Sequence, residues 1–398
     1  MNQSFFDKVI RHMENDPKAK VEEFNVKAGS NPGDNFASSL FRGTISYKSK
    51  FTKNESKKLS LIIKTQLVSG IEGVHDVLNE YPLFRNEMEM YGKVLPAIKE
   101  LWSSIGDDDF LCPKLIYQST EPVPLIILED LSVQGFGIVG KPLEDLEFSK
   151  DIFRRLAKFH ASNFYLLDEK KLDYGNFNGS LFQIPTMADM MFDQGLDAFI
   201  EVAKEEGGFE RFIPKLEAFK KTYLNKALES YSSKGHAFNV LNHGDFHTKN
   251  LLLKKNDEDK VEKFCFIDFQ ICVFASPAID LNYCLQFMVS SQNRLNHRDE
   301  LIATYHQQLV KSLKSFGYLK SPPSLIDVQI ELLRNGHLEV LIALCMTIFF
   351  YIDFSTMTSE DMPMGDGMKD AKKKLYRNSE FLEMIKKELP GYLHKGFI

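Results

Sequence analysis

Two polar clusters close together in the chain constrain its fold more than any other feature. The first is Leu241-Asn-His-Gly-Asp-Phe-His-Thr-Lys-Asn250 and the second is Phe266-Ile-Asp-Phe-Gln270. Between them, Leu251–Leu253 and Phe264–Ile267 read as two short strands joined by the charged turn Lys254 to Lys263. Such a hairpin turns the chain back so that Asp268 emerges beside Asn250. A carboxylate and an amide oxygen in one small volume are hard oxygen ligands that suit Mg²⁺. Asp245, in a tight loop after Gly244, supplies a second carboxylate that can accept a proton from an attacking hydroxyl. Phosphoryl transfer asks for little more than a metal on the phosphates, a group at the nucleophile and a cation that holds the donor. Standing alone, HGD-x4-N also fits an ordinary turn, with Asp268 capping a loop. The pairing with IDFQ is what points to chemistry.

Parts that could hold the donor lie upstream. Gly29-Ser-Asn-Pro-Gly-Asp-Asn-Phe-Ala-Ser38, with Gly33, Asn35 and Ser38, is built of small and turn-forming residues whose backbone N–H groups can come close to phosphate oxygens, although a plain surface turn reads the same way. Phe41, Gly43, Ile45 and Tyr47 then alternate with Arg42, Thr44 and Ser46, the period of a half-buried strand. Phe51 to Lys58 reads as a turn, and Leu59–Thr65 returns as the second strand of a hairpin. Lys64 sits in that apolar strand, where burial is costly without a partner. Glu87 is the candidate partner, on a helix expected over 84–101 with Met88, Tyr91, Leu95 and Ile98 on one face. Lys64 snorkelling from an edge strand is the alternative.

Two further strands are expected at Leu115–Gln118 and Leu125–Leu131, and then a glycine-rich stretch from Gln134 to Pro142 marks a boundary. Helices follow: one N-capped by Ser149 and running to Phe164, then 185–232, 281–316 and 326–354. The expected organisation is a nucleotide-binding lobe at 1–130, a connector at 131–145 and a helical catalytic and acceptor-binding lobe at 146–398. A cleft between two such lobes is a preferred ligand site.

Hydrophobic residues at 43% and charged residues at 26% fit an ordinary globular protein of 398 residues. The formal net charge is −6 with no basic block, so a nucleic-acid partner is not expected. The N-terminus has no apolar signal-peptide core, and the longest apolar run, Val340 to Ile352, is short of the ~20 residues of a membrane span. Five cysteines with no CxxC pair read as buried thiols in a reducing compartment, so a cytoplasmic location is expected.

Taken in order, Gly33-Asp-Asn-Phe-Ala-Ser38, Glu87-Met-Glu-Met-Tyr91, Leu128-Glu-Asp-Leu131, Phe159-His-Ala161, HGD-x4-N over 243–250, Asp268-Phe-Gln270 and Asp280-Leu-x-Tyr283 resemble the CHK-kinase-like, or ecdysteroid kinase-like, proteins, relatives of aminoglycoside and choline kinases. The resemblance implies an α+β, bilobal, protein-kinase-like fold, with a small antiparallel-sheet lobe and a large helical lobe. It implies an ATP- and Mg²⁺-dependent small-molecule kinase acting on a hydroxyl acceptor, an ecdysteroid or another lipophilic alcohol; a monomer is expected. Asp245 would be the catalytic base, and Asn250 and Asp268 the magnesium ligands. Lys64 would meet the α- and β-phosphates and pair with Glu87. Glu129, Asp130 and Leu131 would form the hinge whose backbone receives adenine, and Asp280 would brace the catalytic loop. Where the family often has tryptophan after HGD-x, this chain has Phe246-His247, which bears on acceptor preference. Gln270 stands where protein kinases carry glycine, and no APE-like anchor follows, which argues against a phosphorylation-switched protein kinase.

Three rival readings remain. Gly135-Phe-Gly-Ile-Val-Gly-Lys-Pro142 satisfies GxGxxG and nearly a P-loop, but Pro142 replaces the metal-binding hydroxyl and no βαβ unit surrounds it. His243, Asp245 and His247 could instead be three ligands of a metal-dependent hydrolase. A non-catalytic pseudokinase would bind ligand without turning over ATP.

Overall fold

The computed structural model describes residues 1–29, 38–53, 55–66, 81–109, 112–351 and 368–398. The chain is α+β and falls into two compact units, Met1–Ile138 with Leu251–Gln270, and Val139–Asn250 with Ile271–Ile398.

In the first unit, β1 (Lys20–Ala28), β2 (Ser38–Lys48), β3 (Lys57–Gln66), β4 (Leu115–Ser119) and β5 (Leu125–Glu129) form one sheet in the order β1-β2-β3-β5-β4. Every neighbouring pair is antiparallel. The β2 alternation has its physical cause here: Gly43, Ile45 and Tyr47 face the core while Arg42, Thr44 and Ser46 lie toward solvent or at half-burial. One element below the sheet was not legible as a helix, Gln3–Glu14, capped by Asn2. It lays Phe6, Val9 and Ile10 against Ile45, Tyr47, Leu61, Ile63 and Ile127. The register opposes Leu40 to Lys64 and Lys64 to Ile126, so Lys64 is on the central strand rather than an edge.

The segment expected as one helix over 84–101 is Leu83–Glu89, a π-helical turn Met90–Val94, and Leu95–Ser103. The hairpin expected after Asn250 is present as β8 (Leu251–Lys255) and β9 (Val261–Phe266), with Leu251 opposite Phe266. Part of the glycine-rich stretch is itself a strand, β6 (Phe136–Ile138), paired with β8.

The second unit is mainly helical. Its long helix Leu146–Asp168 is capped by Asp145, which accepts from the N–H groups of Glu147 and Phe148. Ser149 lies inside the helix and donates back to the Asp145 carbonyl, so the expected cap is one turn too late. The segment 281–316 is broken at Val289, between a turn ending at Met288 and the helix Ser291–Ser315. The 326–354 segment breaks at Asn335, next to Gly336, where any Cβ would overlap the Phe397 ring, and its last residues, from Ile352, fall outside the described part. Short strands β7 (Val240–Asn242) and β10 (Val273–Ala275) pair antiparallel and flank the HGD loop. Among the described residues no single helix is long and apolar enough to cross a membrane.

Candidate functional site

In the first unit the structure gathers three of the expected residues. Lys64 Nζ lies 2.7 Å from Glu87 Oε2 and 2.6 Å from Asp268 Oδ1. Lys64 and Glu87 are almost fully buried, while the Asp268 side chain keeps 23% of its exposure. Burial alone would lower the Lys64 ammonium, but Asp268 and then Glu87 outweigh it and hold the group above its ordinary value. Burial pushes the Glu87 carboxyl up, against the pull of Lys64 and with the repulsion of Asp268. One cation therefore serves two carboxylates and stays charged. Asp268 holds a left-handed backbone, φ +67°, as the chain leaves β9.

Asp130 turns its carboxylate into the sheet. Oδ2 takes Ser60 Oγ at 2.7 Å and Arg42 Nε at 2.9 Å, while Oδ1 takes the N–H and hydroxyl of Ser132. The N–H of Glu129 donates to Lys114 O and that of Asp130 to Ser60 O. Leu131 begins the short 3₁₀ turn that Asp130 caps. Ser38 opens β2 and is buried. Gly33 and Asn35 lie outside the described residues.

In the second unit the HGD loop is built around a buried carboxylate. Asp280 Oδ2 accepts from the His243 N–H at 2.6 Å, and Oδ1 accepts from the Gly244 N–H at 2.9 Å. His160 Nε2 stands 3.1 Å from Asp280 Oδ2 and His160 Nδ1 2.9 Å from the Tyr305 hydroxyl. A donating Nε2–H fits both contacts, with Tyr305 donating to Nδ1. Burial pushes the Tyr305 phenol well up, which keeps it a donor. Sequence reasoning gave no role to His160 or Tyr305, since a contact across 120 residues has no local pattern.

Asp245 follows. Asn250 Nδ2 donates to its backbone oxygen at 3.0 Å and to Oδ2 at 3.1 Å. His247 Nε2 is 3.3 Å from Oδ1. Burial would raise the Asp245 carboxyl, but His247, His243 and Asn250 together bring it below its ordinary value. The group is therefore a carboxylate at neutral pH. The His247 ring stands edge-on to Phe287 and Phe350, which stack on each other at 4.8 Å.

Each of the two residues, taken within its own unit, keeps an oxygen of the kind a hard divalent cation binds. Asn250 spends its amide nitrogen on Asp245, which leaves its amide oxygen outward of that contact, and Asp268 has a second carboxylate oxygen that is not engaged by Lys64. The hydrolase alternative fares worse. His243 Nδ1 is turned to the Asp245 N–H, and among the described residues no three His, Cys, Asp or Glu side chains gather for a metal ion.

The β-sheet unit of this α+β protein thus holds a cation locked between two carboxylates, and its helical unit holds an HGD loop braced by a buried aspartate. Residues 32–318 match the model of the ecdysteroid kinase-like family, and the chain belongs to that family. Among solved structures it is similar to a spectinomycin phosphotransferase determined with ADP and spectinomycin, at 11% identity over 96% of this chain and 99% of that one, with a TM-score of 0.40. It is also similar to a protein designated a fructosamine-3-kinase from Haemophilus somnus 129PT, at 9% identity over 95% and 96% of the two chains, with a TM-score of 0.36. No curated protein sequence matches it.

Proposed function

We propose that this protein is an ATP- and Mg²⁺-dependent kinase that phosphorylates a hydroxyl of a small lipophilic alcohol, the ecdysteroids being the class its family name points to. The observation that carries this reading is the buried Lys64, fixed by Glu87 and Asp268 with its charge retained. A positive charge held rigid on a central strand is what the α- and β-phosphates of a nucleotide require. Asn250 and Asp268 would hold the magnesium ion, which when bound neutralises phosphate charge. Of the three hinge residues, Glu129 and Asp130 commit their N–H groups to the sheet, so the donor offered to adenine is the Leu131 N–H. Gly33, Asn35 and Ser38 remain the candidates for covering the phosphates.

Asp245 is the group for the acceptor. The acceptor hydroxyl oxygen forms its new bond to the γ-phosphorus, the bond from that phosphorus to the β–γ bridging oxygen breaks, and ADP leaves with the electron pair. The hydroxyl proton passes to the Asp245 carboxylate. Asn250 and His247 orient that carboxylate from either side.

The test is ATP consumption by the full-length protein over a panel of steroid alcohols, choline analogues and phenol or glucoside conjugates, with Mg²⁺ and with EDTA. Turnover that needs both metal and alcohol is expected. Asp245→Asn should lower it by roughly 10²–10⁴-fold without changing the melting temperature. No turnover with any alcohol, or full turnover in Asp245→Asn, overturns the reading.

A further inference from the structure

The helix Leu325–Arg334 is apolar on more sides than its seat in the second unit uses. Leu325, Ile326, Val328, Ile330, Leu332 and Leu333 are all aliphatic, yet only Val328 and Leu332 are buried. Ile326, Ile330 and Leu333 keep 66%, 41% and 60% of their exposure. Intervals of four and three residues put these three in one stripe. A surface helix packs with one apolar stripe, and this helix carries two. Single exposed aliphatic residues are ordinary, whereas a continuous run of them marks an interaction surface.

The stripe is not the product of a loosely seated helix. On the opposite face the buried Glu331 accepts from Ser276 Oγ at 2.6 Å and from the Ala237 N–H at 2.7 Å, and stands 2.9 Å from His236 Nδ1. Ser324 and Asp327 close a capping box at the N-terminus. Rolling the helix to hide the isoleucines would pull Glu331 off these donors and leave buried polar groups unpaired, which is costly.

The edge of the stripe indicates what covers it. Asp327 and Arg334 are seven residues apart, close to two full turns, so they lie along the same edge, one toward each end. The Asp327 residue is half-buried and the Arg334 side chain keeps 50% of its exposure. Lay two copies of this helix antiparallel about a two-fold axis beside Ile330, and like edges come together. Ile330 then meets Ile330 of the second copy, Ile326 comes alongside its Leu333, and Asp327 faces its Arg334. The helix dipoles also run opposed, which is favourable. A membrane surface fits less well, because interfacial helices line their polar face with Lys and Arg, and Arg334 is the one such residue in this helix.

We propose that the protein forms a two-fold symmetric dimer through the exposed face of the Leu325–Arg334 helix, the apolar stripe closing on itself and Asp327 pairing with Arg334 across the axis.

Sedimentation equilibrium of the full-length protein tests this, at concentrations up to about 200 µM because so small a stripe belongs to the weak end of interfaces. Wild type should show a monomer–dimer equilibrium. Ile330→Glu, which places a charge on the axis in both copies at once, should raise the dissociation constant at least about tenfold with an unchanged melting temperature. Arg334→Glu and Asp327→Lys should each weaken self-association, while an equimolar mixture of the two variants should associate again, because both edge pairs are then of opposite charge. That recovery is not expected of non-specific apolar adhesion. A wild type that stays monomeric throughout overturns the inference, as does a dimer that persists in Ile330→Glu or a mixture that fails to associate. Co-sedimentation with vesicles of phosphatidylcholine and phosphatidylserine, without self-association, would assign the stripe to a membrane and overturn it equally.

Discussion

The carboxylate of Asp280 accepts a hydrogen bond from the backbone N–H of Gly244 at 2.9 Å, so the loop that presents Asp245 hangs from a side chain 36 residues further along the chain. The same carboxylate takes the His243 N–H and faces His160 Nε2. Three donors share two oxygens with no water-facing surface left, since Asp280 is fully buried. In Asp280→Asn one of those oxygens becomes an NH₂ group that faces a donor. An orphaned buried donor costs about 1–3 kcal/mol, so urea unfolding should show a loss of that size, together with turnover well below wild type. A variant within about 0.5 kcal/mol of wild type, the scatter of an ordinary surface substitution, would mean that Asp280 does not hold the loop.

Gly244 itself is the other half of this arrangement. Its φ is +82°, and any Cβ there would overlap the Ile271 carbonyl oxygen. Gly244→Ala must therefore both adopt a left-handed backbone and push β10's leading residues away. The strain alone is worth about 1–3 kcal/mol, and relief by moving the loop would pull the Gly244 N–H off Asp280. The expected result is a lower unfolding midpoint and loss of turnover, with folding rescued in part by cooling. A fully active Gly244→Ala protein would contradict the loop geometry.

How much of this could be read from residue order follows from which contacts are local. The β2–β3 hairpin was legible because one face is buried and the other is not, and Lys64 was conspicuous because it follows the apolar run Leu61-Ile-Ile on the strand. The hairpin after Asn250 was legible for a different reason, two short apolar runs joined by the charged turn Lys254 to Lys263, since neither strand alternates in burial. The strand β1 was not, because Val21 is its one fully buried residue and no alternation results. The helix Gln3–Glu14 was hidden by its charges, although Phe6, Val9 and Ile10 sit at helical spacing. The bracing role of Asp280 came from family likeness, while its partners His160 and Tyr305 required the folded chain.

Removing the cation at the first unit's centre gives a sharper, non-additive expectation. Lys64→Met leaves Glu87 buried with a nearby like charge on Asp268. Breaking a buried pair from one side costs about 3–5 kcal/mol, although Asp268 is partly exposed and can relax toward water, so the lower end is expected. Lys64→Met combined with Glu87→Gln removes the uncompensated charge and should recover most of that stability. Nucleotide affinity should stay lost in both, because the cation proposed to meet the phosphates is gone in both. Equal destabilisation of the single and double variants in chemical denaturation would show that the pair is not coupled.

Acid stability provides a test away from the site. His337 is nearly buried, with Nε2 2.9 Å from Ser230 Oγ. Burial, with some help from Lys226, pulls it down to about 4. An unfolded histidine takes up its proton near 6.5, whereas the folded one resists until about 4. Between those values protons bind the unfolded chain and favour it. The stability that neutral His337 contributes is therefore complete above about pH 6.5 and drains away as the pH falls toward 4, by on the order of 3 kcal/mol at most. Glu331, pulled down to about 2 by hydrogen bonds from His236, Ser276 and Ala237 that outweigh its burial, acts in a separate window below its ordinary 4.5. Urea midpoints measured from pH 7 to pH 4.5 should fall in wild type and stay nearly level in His337→Gln. A wild-type slope that survives in the glutamine variant would place the acid-sensitive group elsewhere in the fold.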